Sequence, residues 1–277
     1  MERLRTTLRG RTSLSVLIAF LLLGLLDACG NAKQEEAEPY TPKQLALTTR
    51  DGVRIAATLY PVPVEHPAGM ILVHARGSNR ARWGPFAARA QQDGIMCLAI
   101  DMRGHGESGG TPEGRQSFAS FERDDWLGVL NDIDCARSAL LRHGADPDNL
   151  AIMGASIGAN LALQYAVDHL DMQAIVLISP GLEYCGVKTE EAMGALGKRP
   201  CLLIVARGDA YAASSAAVLK DKAQGFSELR EYGGSTHGTD LLATETTATE
   251  QILLWLDEII GPEAIARFHS KGQPPAP

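Results

Sequence analysis

Asn149-Leu-Ala-Ile-Met-Gly-Ala-Ser-Ile-Gly-Ala-Asn-Leu-Ala-Leu-Gln-Tyr-Ala166 is the stretch on which the fold turns. It opens with a strand-like run, 149–153. Gly154-Ala155-Ser156-Ile157-Gly158 follows, and then a helix-like run, 159–166. A G-x-S-x-G segment between a strand and a helix reads as a nucleophile elbow, a sharp turn that lifts a serine hydroxyl out of a sheet. The two glycines have a physical role, because a Cβ at 154 or 158 would meet the neighbouring strand or helix at so tight a bend. Gly, Ala and Ser are common residues, so the pentapeptide needs the rest of the chain to support it.

Outward from the elbow, short apolar runs alternate with helical patterns. Residues 44–60 alternate in polarity around Asp51-Gly52, a hairpin pattern. Runs 69–74 and 95–100 are continuously apolar, as are 174–178 and 201–205, which marks strands buried on both faces. Segment 227–232 closes the series of strands. Helices are predicted at 83–92, 118–142, 211–222 and 241–260. In the longest of them Trp126, Leu127, Leu130, Ile133 and Ala136 keep helical spacing, and Gly144 ends it. Alternation of this kind predicts an α/β fold: a doubly wound, mostly parallel sheet covered by helices. No internal repeat is visible. The segment between Ile178 and Cys201 is short and glycine-bearing, which leaves no room for a large cap domain. The site is therefore open, unless that segment folds over it as a small lid.

Residues 1–28 stand apart from the fold. Arg3, Arg5, Arg9 and Arg11 precede an apolar run, 14–26, which is too short to span a membrane and suits the core of a signal peptide. Leu26-Asp27-Ala28-Cys29 then resembles a bacterial lipobox, with Asp27 an unusual occupant. That resemblance implies lipidation of Cys29 and a lipid-anchored protein on the periplasmic face of the cell envelope. A plain secretory signal is the alternative. The polar, acidic, proline-bearing remainder of 29–43 reads as a tether, 44–262 as the folded domain, and 263–277 as a disordered tail.

The chain carries a formal net charge of −7, and −9 once residues 1–28 are set aside with their four arginines and two acids. An acidic surface argues against nucleic acid as a partner. Membrane contact is expected only through the N-terminal lipid, and oligomeric state is not legible. Cys97, Cys135, Cys185 and Cys201 form no C-x-x-C pair, so there is no metal or redox motif, and buried thiols are expected.

A serine hydroxyl needs a base, and the base an orienting acid. Three histidines follow Ser156. His169 lies at the far end of the helix that Ser156 opens, and His269 lies in the tail. His237 sits in a loop directly after the last strand, at the carboxyl edge where open α/β sheets bind ligands. Asp209 exits the 201–205 strand through Gly208. Glu183 and Asp240 are its rivals, and capping the following helix is its alternative role. The backbone N–H groups of Ile157 and Arg76 are the expected oxyanion donors. Arg76, Arg80, Arg82, Arg103 and Arg207 fall near the expected mouth. They could either draw in an acidic substrate or pair with acids such as Glu107 and Glu183.

Asp51-Gly-Val-Arg-Ile, His74-Ala-Arg-Gly, Asp101-Met-Arg-Gly-His-Gly-Glu-Ser108, the elbow, Gly208-Asp209 and His237-Gly238 occur together and in order. In this the chain resembles the α/β-hydrolase superfamily from about 44 to 262, in its esterase, lipase or dienelactone-hydrolase-like branch. Ala75 replaces the usual glycine of the oxyanion loop. The resemblance implies a minimal hydrolase fold and hydrolysis of a small-molecule carboxylic ester through an acyl-enzyme, with no cofactor. Ser156, Asp209 and His237 would be its catalytic residues. A peptidase, acyltransferase or thioesterase on the same residues is the nearest alternative. A non-catalytic binding lipoprotein on a hydrolase fold is the alternative from another class.

Overall fold

The computed structural model describes residues 40–111 and 114–261. The signal segment 1–28, Cys29, most of the tether, and the 263–277 tail with His269 lie outside the described residues.

The chain starts with two antiparallel strands, β1 (Lys43–Thr48) and β2 (Arg54–Tyr60), joined through Gly52 at φ 82°. β3 (Gly69–Val73), α1 (Gly84–Gln92) and β4 (Met96–Ile100) form the first crossover unit. Two short strands, β5 (Gly110–Thr111) and β6 (Gly114–Arg115), precede the long α2 (Arg123–Arg142). Then come β7 (Leu150–Ala155), α3 (Ile157–Asp168) and β8 (Met172–Ile178). A small hairpin of β9 (Glu183–Tyr184) and β10 (Val187–Lys188) leads into α4 (Glu190–Ala195). β11 (Cys201–Ala206), α5 (Ala210–Lys222), β12 (Ser227–Tyr232), α6 (Asp240–Thr244) and α7 (Thr246–Ile260) complete the domain.

The main sheet runs β12-β11-β8-β7-β3-β4-β2, with β3, β4, β7, β8, β11 and β12 parallel and β2 antiparallel to β4. Successive side chains of a strand point to opposite faces, and the core divides accordingly. Ile71 and Val73 pack on one side with residues of α2, α3 and α5. Met70 and Leu72 pack on the other with residues of α1 and α7. This is the doubly wound α/β-hydrolase architecture, with no cap domain among the described residues. The chain leaves β3 for β4 on one side and returns to β7 on the other. The carboxyl ends of β3 and β7 thus form a topological switch point, the crevice where such sheets bind ligands.

Three segments differ from the sequence pattern. The 118–142 helix begins only at Arg123. Phe118–Ser120 is a separate short turn, and a reciprocal cap between Glu122 and Asp125 fixes the start of α2. The 241–260 helix is broken at Glu245, whose ψ of 90° is not helical. The loop-like 179–199 segment contains the β9–β10 hairpin and α4. Its turn places Cys185 at φ 50° and Gly186 at φ 76°, the two positive φ values of a type I′ hairpin loop. Cys97, Cys135, Cys185 and Cys201 are free thiols; Cys97 and Cys201 are buried as expected, but Cys135 and Cys185 are only partly buried, and burial pushes Cys201 up to about 12.

Candidate active site

β7 is buried along its whole length and delivers Ser156 at its carboxyl end, where α3 begins. Ser156 adopts φ 55° and ψ −124°, a conformation that costs a non-glycine residue energy and clusters at functional sites. The flanking glycines make the bend feasible. A Cβ on Gly154 would lie 2.1 Å from the carbonyl oxygen of Gly158, and one on Gly158 would lie 2.5 Å from the carbonyl oxygens of His74 and Val73.

The structure brings Ser156, His237 and Asp209 together. His237 Nε2 lies 2.7 Å from Ser156 Oγ, and His237 Nδ1 lies 2.6 Å from Asp209 Oδ2. An ionised carboxylate only accepts, so Nδ1–H donates to Asp209 and Nε2 is left to accept the serine proton. Asp209 precedes α5, but its side chain makes no capping bond, which leaves the carboxylate for His237. Gly208 permits the close approach of the two loops. Its N–H donates to the Gly234 carbonyl at 2.7 Å, and a Cβ there would stand 2.6 Å from that oxygen.

It is Asp209, not a rival, that bonds His237 Nδ1. Asp240 pairs with Arg82 at 2.9 Å. Glu183 lies in β9, where its backbone N–H and carbonyl both bond the Tyr211 hydroxyl. His169 stacks on Tyr165 at the end of α3. Among the described residues no group of His, Cys, Asp and Glu could hold a metal ion.

The loop after β3 carries Arg76 beside this centre. Its geometry is fixed from beneath by His74, whose Nε2 accepts the Met102 N–H at 3.0 Å and whose Nδ1 bonds the Ala75 carbonyl at 2.7 Å. Burial pushes the pKa of His74 down to about 4, so it holds both bonds as the neutral ring. Ala75 is accommodated in place of glycine, with its Cβ beside Gly238. Asp101, fully buried, takes the backbone N–H groups of Arg80 at 2.6 Å and Glu107 at 2.8 Å, together with the Arg80 guanidinium. Ile157 is the first residue of α3, where backbone N–H groups have no partner within the helix.

Several residues that shape the site were not singled out in the sequence. Ser179, just after β8 and at φ 48°, accepts the Gly238 N–H at 2.9 Å and so braces the loop of His237. Buried Asn160 on α3 donates to the Val187 carbonyl at 2.8 Å and accepts the Gly181 N–H at 3.1 Å, which ties the β9–β10 hairpin down. From that hairpin Tyr184 stands edge-on to the His237 ring, 6.0 Å between centroids. A serine after a strand and an asparagine inside a helix carry no local signal of such roles; the folded crossing of β8, α3 and the hairpin creates them.

The model of a known family, serine aminopeptidase S33, matches residues 65–231, the span that holds the loop after β3, Ser156 and Asp209. The chain belongs to the S33 serine aminopeptidase family. As an S33 chain it is 27% identical over 177 residues to YfhR of Salmonella typhi, an uncharacterised protein. That match covers 57% of this chain and 55% of the relative, so the chain aligns with only about half of the relative's length. Solved structures extend the likeness in fold. DcsB, solved with its substrate analogue, superposes with a TM-score of 0.68 at 13% identity, over 79% of this chain and 99% of its own. A Pyrococcus furiosus esterase, Pf2001, gives a TM-score of 0.63 at 16% identity, over 80% and 92%.

Proposed function

We propose that this S33 family member is a serine hydrolase that cleaves carboxylic esters through an acyl-enzyme. In the same proposal it is exported and held at the periplasmic face of a bacterial membrane by a lipid on Cys29. The observation that carries the chemical reading is the His237 ring, bridging Ser156 at 2.7 Å and Asp209 at 2.6 Å. Ser156 Oγ attacks the carbonyl carbon as His237 Nε2 takes its proton, and Asp209 stabilises the imidazolium. The N–H groups of Ile157 and Arg76 receive the oxyanion, aided by the dipole of α3. His237 then protonates the departing alcohol. Water repeats the sequence and frees the acid and Ser156.

Support for the chemistry comes from the strained Ser156, its buried glycine elbow and the family match. The absence of a cap domain supports small or exposed esters. The aminopeptidase description of the family supports a second reading, peptide hydrolysis at the same three residues. A fluorophosphonate probe and a panel of 4-nitrophenyl esters of graded chain length test both readings. Labelling at Ser156 with ester turnover, both abolished in Ser156→Ala, is the expected result. Labelling without ester turnover turns the assignment to a peptidase or acyltransferase, and no labelling removes the hydrolase reading. For the anchor, Cys29→Ser is expected to move the protein out of the membrane fraction; unchanged fractionation refutes lipidation.

A further inference from the structure

The five arginines near the mouth of the site have separate fates, and Arg76 is the one whose guanidinium lies over an aromatic ring. Arg103 is buried between Asp132 and Asp51, with bonds of 2.7 to 3.1 Å to the two carboxylates. Arg80 is consumed by buried Asp101 and by Glu107. Arg82 pairs with Asp240, while exposed Arg207 reaches only a backbone carbonyl, that of Glu231 at 3.3 Å. Arg76 is exposed and, among the described residues, pairs with no carboxylate. Its guanidinium lies over the Phe118 ring, 5.9 Å from the centroid.

That placement has an aromatic footing. The Phe118 ring is stacked on buried His105 at 4.2 Å. The β9–β10 hairpin sets Tyr184 edge-on to the His237 ring. Burial pushes the Cys185 thiol up while the charge of Arg76 pulls against it. An exposed cation without a carboxylate partner, on the loop whose Ala75 lies beside Gly238, is poised for an anion that the protein itself does not supply. A guanidinium receives a carboxylate through two parallel N–H bonds, and the aromatic face beneath it keeps it oriented.

We infer that Arg76 selects esters whose acyl part ends in a carboxylate, the half-esters of dicarboxylic acids. This inference rests on the ester-hydrolase reading above. With the Arg76 backbone N–H at the oxyanion and its side chain at the far carboxylate, one residue spans the acyl group. That sets the separation of the two carbonyl carbons rather than the nature of the alcohol.

The test compares kcat/KM for 4-nitrophenyl half-esters of succinic, glutaric and adipic acids with that for their methyl-capped neutral counterparts and for trimethylammonio-acyl analogues. A charge-assisted pair at an exposed rim is worth about tenfold, and its benefit falls as salt screens it. The wild type is expected to prefer the anionic ester by about tenfold, less at high salt. Arg76→Gln is expected to bring the ratio to about one, and Arg76→Glu to turn it toward the cationic ester. These ratios are read independently of any change in absolute rate. Brisk turnover of neutral esters with no anionic preference, or a preference that survives Arg76→Gln, overturns this inference alone. Absence of turnover on every ester overturns it together with the hydrolase reading.

Discussion

Replacing Asp209 by asparagine separates the role of its charge from the role of its shape. The amide is nearly isosteric, and because the aspartate makes no capping bond to α5, the helix loses nothing. What changes is the ring. An amide NH2 facing Nδ1 at 2.6 Å donates where the carboxylate accepted. That drives the ring proton to Nε2, so the nitrogen facing Ser156 carries an N–H and cannot take the serine proton. In a closed site this exchange costs about ten-thousand-fold in turnover. Here the His237 side chain is 40% exposed and that of Asp209 16%. Water therefore takes over part of the stabilisation of the imidazolium, and a loss of about a thousandfold is expected, roughly 4 kcal/mol of barrier.

The assay is kcat/KM on a 4-nitrophenyl ester, with circular dichroism to show an unchanged fold. Three comparisons sharpen it. Ser156→Ala combined with Asp209→Asn is expected to be no slower than Ser156→Ala alone, because residues acting as a unit are not additive. Glu183→Gln, the change at the rival acid, is expected to stay within about threefold of wild type. Asp209→Asn retaining more than about a tenth of the activity refutes the assignment of Asp209, and a large loss in Glu183→Gln transfers it.

Three further outcomes concern the frame around the site. Gly154→Ala forces a Cβ to 2.1 Å from a backbone oxygen, and is expected to abolish soluble folded protein or lower its melting temperature steeply, read by thermal scanning. Arg103→Met leaves Asp132, fully buried and already raised to about 6 by burial, without its cation. The expected loss is about 3–5 kcal/mol in urea unfolding at pH 7. Its pH dependence has a definite sign. The folded carboxyl binds its proton more tightly than the unfolded one, so the variant's stability is greatest at the acid end and falls as pH rises through the raised pKa; a variant whose stability rises over pH 5 to 7 contradicts this. Asn160→Ala orphans the Val187 carbonyl and the Gly181 N–H, and is expected to speed hydrogen exchange in the β9–β10 hairpin well beyond that of β7.

The parts of this molecule that follow from local chemistry were open to reading in the sequence, and the parts that depend on distant partners were not. Short continuous apolar runs between helical patterns read as strands covered on both faces, so β3, β4, β7, β8 and β11 in an α/β fold followed from the sequence. Gly154 and Gly158 announced a close approach before its partners were known. The break at Glu245 had no such signal. No proline or glycine interrupts 241–260, and the helix divides because α6 belongs to the loop of His237 while α7 covers the sheet.

Charge is the clearest case of the same division. In the sequence the five arginines were equivalent, all cations near strand ends. Folding brought Asp132 to Arg103 from α2, 29 positions along the chain, and Asp101 to Arg80 from the end of β4, 21 positions along. Such pairings are invisible to any window of sequence, because each requires two elements to pack. They also decide function, since a paired guanidinium has already satisfied its best hydrogen-bond acceptor and offers little to a ligand. Among the described residues the fold left two of the five without a carboxylate, Arg207, which bonds a backbone carbonyl, and Arg76, which sits on the loop after β3. An acidic chain with −9 of net charge outside residues 1–28 has carboxylates in excess, so Arg76 does not lack one for want of them. If its neighbours had no use for that charge, replacing Arg76 by glutamine would leave the preference among esters unchanged, and that comparison is the most economical test of what the site selects.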